Sequence, residues 1–558
     1  MTKKVFAVVI ALLYSIAYVL VGPITEDQSF TMSAKQILPF VLCFVLCTLV
    51  NYFAFTFIPR IRIDIGNKGI FQRLEKLGER KLFLIVWGFI FVSWIPAYLV
   101  LYPGVLSYDM MSQVSSAMGE ITNNHHPILH TWLIRVFMKL GKATCNSYEF
   151  GIGLLSLLQM VLLSYALARL VLLLKKKVSW LIAIITAVFS ALWFMNACLS
   201  VTMIKDTLHA AFLVLFACHF AEIATTPSEY LSRKRNLVFL PLISFFMCAF
   251  RNNGYHIYLF CFLALALLRI AHIKKVKLYI PLIVAILVPV LAFKIYTGPV
   301  FHALDIEQGE VREALSIPIQ QLQRVAINKA GELTEEQTEL MLYYITDLSW
   351  RAWDPGRKYD PFISDPAKSC FSSANYNNDV MAFWKFYLQT GKQFTKEYIR
   401  AFLSNTLGFW YPGYYEYSNV MYENYPSDWF VVPLERKSIL NVPFVKNYYE
   451  SVCSSEFWRK TPVLRIFVIP GFALWLLLYG LALAWRKRGY FTKVLPVFLP
   501  LIAQFGIMIL SPMSSFRYSW PFYLLLPLVF VGIFGEFGDM ESPTRKDKSA
   551  KVQLEEKK

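Results

Sequence analysis

Charge is scarce in this chain. Asp, Glu, Lys and Arg make up 16% of its 558 residues, against about 25% in an ordinary soluble domain. Acids are the scarcer sign, 37 against 55 basic residues, which leaves a formal net charge of +18. No CxxC pair and no HExxH appears, and neither does an internal repeat nor a low-complexity run before the charged tail. These gaps argue against a cytosolic enzyme and against a disulfide-stapled secreted module. Cysteine is thinly spread. Cys43, Cys47, Cys218, Cys248 and Cys261 lie inside apolar runs and read as small core residues. Cys145, Cys370 and Cys453 fall in segments expected outside the membrane, where a disulfide has room to form but sequence does not choose the pair.

What the chain has in quantity is apolar sequence, 56% of its residues. Runs of roughly twenty apolar residues recur from end to end, long enough to cross a bilayer as helices. Twelve spans are expected, near 5–22, 36–58, 82–101, 150–174, 178–196, 207–224, 236–250, 256–270, 277–297, 463–485, 491–511 and 518–537. The seventh and eighth are short for a full crossing. The run from Val5 to Val21 resembles a signal-peptide core, but with eleven spans after it, it reads as a retained first helix. The fold class is therefore an all-α polytopic membrane protein of about 12 transmembrane helices, with the lipid bilayer as its first partner.

The basic excess belongs to loops, not to a nucleic-acid site; no nucleic acid partner is expected. Lys3 and Lys4, the stretch from Arg60 to Lys81, Lys175 to Lys177, Arg233 to Arg235, Lys274 to Lys277, Arg486 to Arg488 and the tail from Arg545 to Lys558 fall on alternate sides of the spans without a break. The positive-inside rule then puts both termini in the cytoplasm of a multi-pass cell membrane protein. The other loops, 23–35, 103–149, 197–206, 251–255, 298–462 and 512–517, face outward. The chain divides into two N-terminal spans with a basic loop (1–81), a seven-span unit (82–297), an exterior segment (298–462), three C-terminal spans (463–537) and a charged tail (538–558). The exterior segment should be mostly helical. One helix is expected from Glu307 to Ala330, and a second opens at Thr334 with Glu and Gln in its first turn, a capping-box pattern. Phe409 to Phe430 is rich in Tyr, Trp, Pro and Gly and should be loop.

Outward loops near the membrane carry few charges, so each one is informative. From Leu106 the pattern is helical: Leu106, Met110, Val114 and Ala117 share one face, and Asp109, Ser112, Gln113 and Ser116 the other. Such a helix would lie on the outer leaflet and hold Asp109 at the lipid–water boundary, where a partly desolvated carboxylate can act as a general base. His125, His126 and His130 follow. Pro127 suits the first turn of a helix, with His126 at its cap. Three imidazoles this close would bind a divalent metal, orient an acceptor or contact phosphate. Lys205 and Asp206 stand at one span end, Arg251, Asn252 and Asn253 in a tight outer turn, and Arg517 and Tyr518 at another span end. Cations on the outer side run against the positive-inside bias. Snorkelling is the bland reason. Phosphate recognition is the sharper one, since Arg offers a planar fork of donors and Lys a point charge.

At these residues the chain resembles the GT-C class of membrane glycosyltransferases, which take a sugar from a polyprenyl-phosphate carrier on the outer face of the membrane. The third to ninth expected spans match the seven-span GT-C-like core, with 103–149 as the catalytic exterior loop and its amphipathic helices. More narrowly, Tyr102, Pro103 and Gly104, Tyr108 and Asp109, His125 to Pro127, Lys205 and Asp206, Arg251 to Gly254, and Arg517 and Tyr518 resemble an uncharacterised bacterial multi-pass family regarded as GT-C-like. The resemblance covers most of the chain from residue 100 onward. It implies a polyprenyl-phosphate-linked sugar as donor, a cell-envelope glycan, lipid or protein as acceptor, and Asp109 as catalytic base. It further implies cations at Lys205, Arg251 and Arg517 for the leaving phosphate, His126 and Asp206 to orient substrate, and inversion at the anomeric carbon. Trp410, Tyr411, Tyr414 and Tyr415 would either stack on sugar rings or pack as a loop over the membrane surface. Many class members carry two adjacent acids where this chain has Asp109 followed by Met110 and Met111, so a mode without metal or other cofactor fits better than a metal-dependent one. The rival readings are a transporter or flippase for a lipid-linked glycan, and a polymerase, ligase or acyltransferase working at the same outer face.

Overall fold

The computed structural model describes residues 3–61, 70–269, 276–346, 359–413, 429–488, 491–535 and 537. Arg62, Lys68, Lys274, Lys275, Tyr414, Tyr415 and the tail 538–558 lie outside them. Among the described residues the chain is helical, with isolated bridges and no sheet.

Each of the twelve expected positions carries a helix. The longer helices, labelled in chain order, are α1 (Lys3–Asp27), α2 (Ala34–Phe57), α3 (Gly78–Val100), α4 (Tyr108–Met118), α5 (Ile128–Cys145), α6 (Tyr148–Lys177), α7 (Trp180–Leu192), α8 (Phe194–Ser200), α9 (Lys205–Thr225), α10 (Asn236–Phe250), α11 (Asn253–Arg269) and α12 (Val276–Ile295). After residues 298–462 come α19 (Phe472–Arg488), α20 (Phe491–Ile509), α21 (Phe516–Leu525) and α22 (Leu528–Phe534). Among the described residues seven helices are long and apolar enough to span a membrane, and an eighth if the pair α7 and α8, bent by 56° at Trp193, is one span. This is a polytopic helical membrane protein. The remaining four, α10, α11, α19 and α20, are shorter apolar helices. At 1.5 Å per residue, the 15 residues of α10 reach only ~22 Å, below the ~30 Å of a hydrocarbon core.

Helices α6 and α9 form the centre. α9 is enclosed over 83% of its apolar window, whereas α2 is enclosed over 6% and presents its side chains outward. α5 turns back onto α6 through Asn146, which takes the left-handed conformation that ends a helix (φ 50°). The two backbones touch at this corner: a Cβ on Gly151 would stand 2.1 Å from Phe137 O, and one on Gly141 2.3 Å from Gly151 N.

Three expectations change. Helix α4 exists, but its apolar face does not rest on lipid. Leu106, Met110, Val114 and Ala117 are buried against α5 and α6 (Ile134, Met138, Ile152, Leu155), and Phe430 and Leu434 cover them. Gln113, expected on the wet face, is buried as well. A protein core and a bilayer select the same apolar stripe, so the pattern alone does not separate them. Pro127 stands at the cap of α5, one residue before the first turn, and His126 precedes it. The helix expected from Glu307 is present only as α13 (Ser316–Asn328). Glu307 is instead extended beside Asn123: Asn124 N donates to Glu307 O at 2.9 Å and Glu307 N to Thr122 O at 2.8 Å. The expected capping box at Thr334 is present on α14 (Glu335–Tyr344), with Gln337 N donating to Thr334 Oγ1 and Thr334 N to Gln337 Oε1.

Residues 298–462 have their own small core, in which Leu322, Val325, Met341, Phe383 and Phe386 pack between α13, α14, α15 (Val380–Gln393) and α16 (Thr395–Asn405). This stretch ends in α17 (Pro443–Val452) and α18 (Ser455–Lys460). Backbone bonds fasten it beside the first loop, Lys437 N to Tyr102 O at 2.9 Å and Ile439 N to Leu99 O at 2.8 Å.

Candidate functional site

Two stretches far apart in sequence are laid side by side before they become helices. Val105 N donates to Val201 O and Met203 N to Val105 O, both at 3.1 Å, a short parallel pairing. Ser107 Oγ donates to Met203 O at 3.0 Å. From below, α6 fixes both strands: Ser156 Oγ donates to Pro103 O at 2.6 Å and Gln159 Nε2 to Thr202 O at 3.0 Å. Gly104 adopts φ +150°, and a Cβ there would meet Ser156 Oγ at 2.6 Å and Val201 O at 2.7 Å. No other residue fits so close a crossing. The pairing delivers Asp109 in the first turn of α4 beside Lys205 and Asp206 in the first turn of α9.

A third helix completes the group. α21 packs against α9, and Trp520 Nε1 donates to Asn196 Oδ1 at 3.0 Å. Its first turn carries Arg517, whose backbone N–H donates to Ser515 Oγ. Arg517 NH2 lies 3.2 Å from Asp109 Oδ2, and its Nε lies 3.4 Å from Asp206 Oδ2. Arg251, between α10 and α11, forms an ion pair with Asp206 through its NH1. Lys205 Nζ is 3.5 Å from Asp109 Oδ2. Tyr518 lies under both guanidinium groups, 5.3 Å from Arg251 and 5.1 Å from Arg517, a cation–π arrangement. So Asp109, Lys205, Asp206, Arg251, Arg517 and Tyr518 share one site.

The two acids differ in exposure. Asp206 is 0% exposed, whereas the Asp109 side chain is 16% exposed. Asp206 is thus enclosed between Arg251 and Arg517, with which it pairs. Asp109 stays open. Burial alone would raise its carboxyl, but Arg517, then Lys205 and His126, hold it far below the usual carboxylate range. Three cations against two carboxylates leave one positive charge uncompensated in the group.

The histidines do not act together. His126 joins the site: Lys205 Nζ donates to its Nδ1 at 3.2 Å, and Ser112 Oγ lies 2.7 Å from its Nε2. An ammonium has no acceptor, so Nδ1 is the bare nitrogen and Nε2 carries the proton towards Ser112. Burial first, and then Lys205, push His126 down to about 3, so it is neutral. His130 sits behind α4 with its Nδ1 3.0 Å from Gln113 Oε1, and burial pushes it down to about 4. His125 is exposed and touches the group only through the His126 ring, 4.7 Å away. Asn252 is exposed and Asn253 half-buried at the start of α11. Their backbone shapes the turn that presents Arg251, with Gly254 N donating to Arg251 O at 2.8 Å. Among the described residues no three His, Cys, Asp or Glu are arranged as a metal site. Trp410 donates to Leu403 O and Tyr411 lies against Tyr18, so these rings pack within the protein.

Sequence reasoning overlooked Gln159 and Ser156, which position both strands. A lone amide in a long apolar run was the available signal, since polar groups there need partners. It also overlooked a cavity of about 340 Å³ lined by Phe189, Trp193, Phe194, Val452, Phe457 and Trp458 among others. Trp193, in its wall, packs edge-on against Phe516, with ring centroids 6.0 Å apart.

No curated protein matches this chain, and no solved structure does. Residues 117–552 match a family described as Family of unknown function (DUF6020), and that span takes in every residue of the site except Asp109 and Ser112. The chain belongs to the DUF6020 family.

Proposed function

We propose that this protein is a membrane glycosyltransferase that moves a sugar from a polyprenyl-phosphate carrier to an acceptor hydroxyl. In this reading 82–297 forms a GT-C-like core, all twelve helices cross or enter the bilayer, both termini are cytoplasmic and the charged group faces outward. The observation that carries the reading is the meeting of an accessible acid, Asp109, with Lys205, Arg251 and Arg517 at the mouths of separate helices. A net positive group suits the phosphate head of a lipid carrier. Cations on the outer side run against the positive-inside bias, and recognition of a phosphate would account for them.

At rest Asp109 is a poor base, because two cations lie on its carboxylate. The donor phosphate competes for those cations. As Arg517 and Lys205 turn to it, the Asp109 carboxyl rises towards its ordinary range and gains the strength to accept a proton. The acceptor hydroxyl gives its proton to Asp109, and its oxygen bonds to the anomeric carbon. The bond from that carbon to the phosphate oxygen breaks, and the new charge on the lipid phosphate is met by Arg251, Arg517 and Lys205. One displacement inverts the anomeric centre. Once Lys205 turns to the phosphate, the bare Nδ1 of neutral His126, still held through Nε2 by Ser112, is free to accept a hydrogen bond from the incoming hydroxyl without adding charge.

The test supplies purified protein with radiolabelled polyprenyl-phosphate hexose and candidate envelope acceptors, and compares wild type with Asp109→Asn. Label on an acceptor with wild type alone supports transfer. Unaltered lipid carried across a vesicle wall by both proteins would mean a transporter.

A further inference from the structure

Two cysteines from distant parts of the chain come together on elements that also line the apolar cavity through Phe194 and Val452. Cys198 lies in α8, just before the stretch that leads into Lys205, and Cys453 follows the last residue of α17. Their thiols are close enough to perturb each other electrostatically, and both are buried, at 1% and 7% exposure. The elements that carry them are in contact independently of the sulfurs. Phe194, one turn before Cys198, stacks on Trp458 of α18 at 5.0 Å and 24°. Trp458 Nε1 in turn donates to Val452 O, next to Cys453, at 2.9 Å. The other thiols have no comparable partner across the fold. Cys145 is exposed, Cys370 donates to Pro366 O within its own helical turn, and Cys43 faces Cys47 on a single helix.

We propose that Cys198 and Cys453 form a disulfide that fastens α17 of the exterior segment to α8. A buried cysteine is most often a small core residue. Here, however, two thiols meet from segments that the outward orientation places in the compartment where disulfides persist. Each thiol gives up its proton, one sulfur–sulfur bond forms, and two electrons pass to an exterior disulfide oxidant, which leaves as a dithiol. The link holds one wall of the aromatic cavity against the broken span. It also steadies the start of the strand that carries Lys205, since Thr202 Oγ1 donates to Cys198 O at 2.8 Å. The inference rests on the outward placement in the proposed function, not on sugar transfer.

The experiment uses full-length protein from membranes denatured in acid, alkylated with N-ethylmaleimide and digested without reductant. Mass spectrometry should find the Cys198 and Cys453 peptides joined, lighter by two hydrogens than the free pair, with Cys145 alkylated. The joined species should vanish in Cys198→Ser and in Cys453→Ser and persist in Cys145→Ser. Both cysteines alkylated in wild type, before and after exposure of the membranes to oxidised glutathione, would overturn the proposal. A joined pair in a protein without transferase activity would sink the transfer reading alone; free thiols in an active enzyme would sink this one alone.

Discussion

Replacing Asp206 by Asn should damage the protein more than replacing Asp109, although Asp109 is the group assigned to the chemistry. Asp206 is fully enclosed and faces two guanidinium groups, Arg251 and Arg517. Removing one partner of a buried ion pair typically costs ~3–5 kcal/mol, because the other charge is left uncompensated. After Asp206→Asn, Arg517 still has Asp109 in contact, but Arg251 keeps the Tyr518 ring and a longer-range pull from Asp109. Asp109 is partly open to solvent, and its loss leaves Arg517 with Asp206, so Asp109→Asn should cost less, ~1–2 kcal/mol. The assay is thermal unfolding of the detergent-solubilised protein. A 150–250-residue domain shifts by roughly 2–4 °C per kcal/mol, so in this longer chain the Asp206 variant should melt several degrees lower. The second arm is Asp206→Asn with Arg251→Met, which removes the stranded cation and should recover part of the loss. An Asp206→Asn protein as stable as wild type would refute the reasoning, and so would a double variant weaker than the single one by the full cost of Arg251→Met.

Other outcomes follow from the same geometry. Gly151→Ala should sharply reduce folded yield, because the new Cβ meets Phe137 backbone at 2.1 Å and backbone cannot step aside; a normal yield and melting curve would mean the α5–α6 contact is looser. The folded-state value of His130, about 4, lies below the ordinary 6.5. The unfolded chain therefore takes up the proton first, and stability is lost as pH falls from about 6.5 towards 4; His130→Asn should flatten that part of a melting-temperature profile. For Asp109 the sign is opposite. Its folded value is depressed, so the stability it contributes is present above the ordinary carboxylate range and disappears only at stronger acid. Lys205→Met should raise that carboxyl and move the acid limb of any activity profile upward, and an unmoved limb would detach Lys205 from Asp109.

Much of this architecture was legible in the sequence. Runs of apolar residues located the helices, because a backbone in hydrocarbon must satisfy its own hydrogen bonds. Charges at span ends exposed Asp109, Lys205, Arg251 and Arg517, because each such charge is costly without a partner. The difference in burial between Asp109 and Asp206 was not legible, since both are acids in a first turn and only packing decides which is sealed. The burial of α4 against α5 and α6 was hidden for the reason that makes amphipathic patterns ambiguous in membranes: protein and lipid both accept Met110 and Val114. The break at Trp193 and the extended Glu307 depend on tertiary partners, the aromatic cavity and Asn123, that no local pattern encodes.

The central claim is that Asp109 and a lipid phosphate compete for the same cations, and equilibrium binding of polyprenyl phosphate to the protein in lipid nanodiscs tests it directly. Losing a charge-assisted contact worth ~1.5–3 kcal/mol should weaken binding by roughly 10- to 100-fold in Arg517→Met, whereas Asp109→Asn should bind at least as tightly as wild type while transferring no sugar. Weaker binding by Asp109→Asn, or unchanged binding by Arg517→Met, would contradict the account.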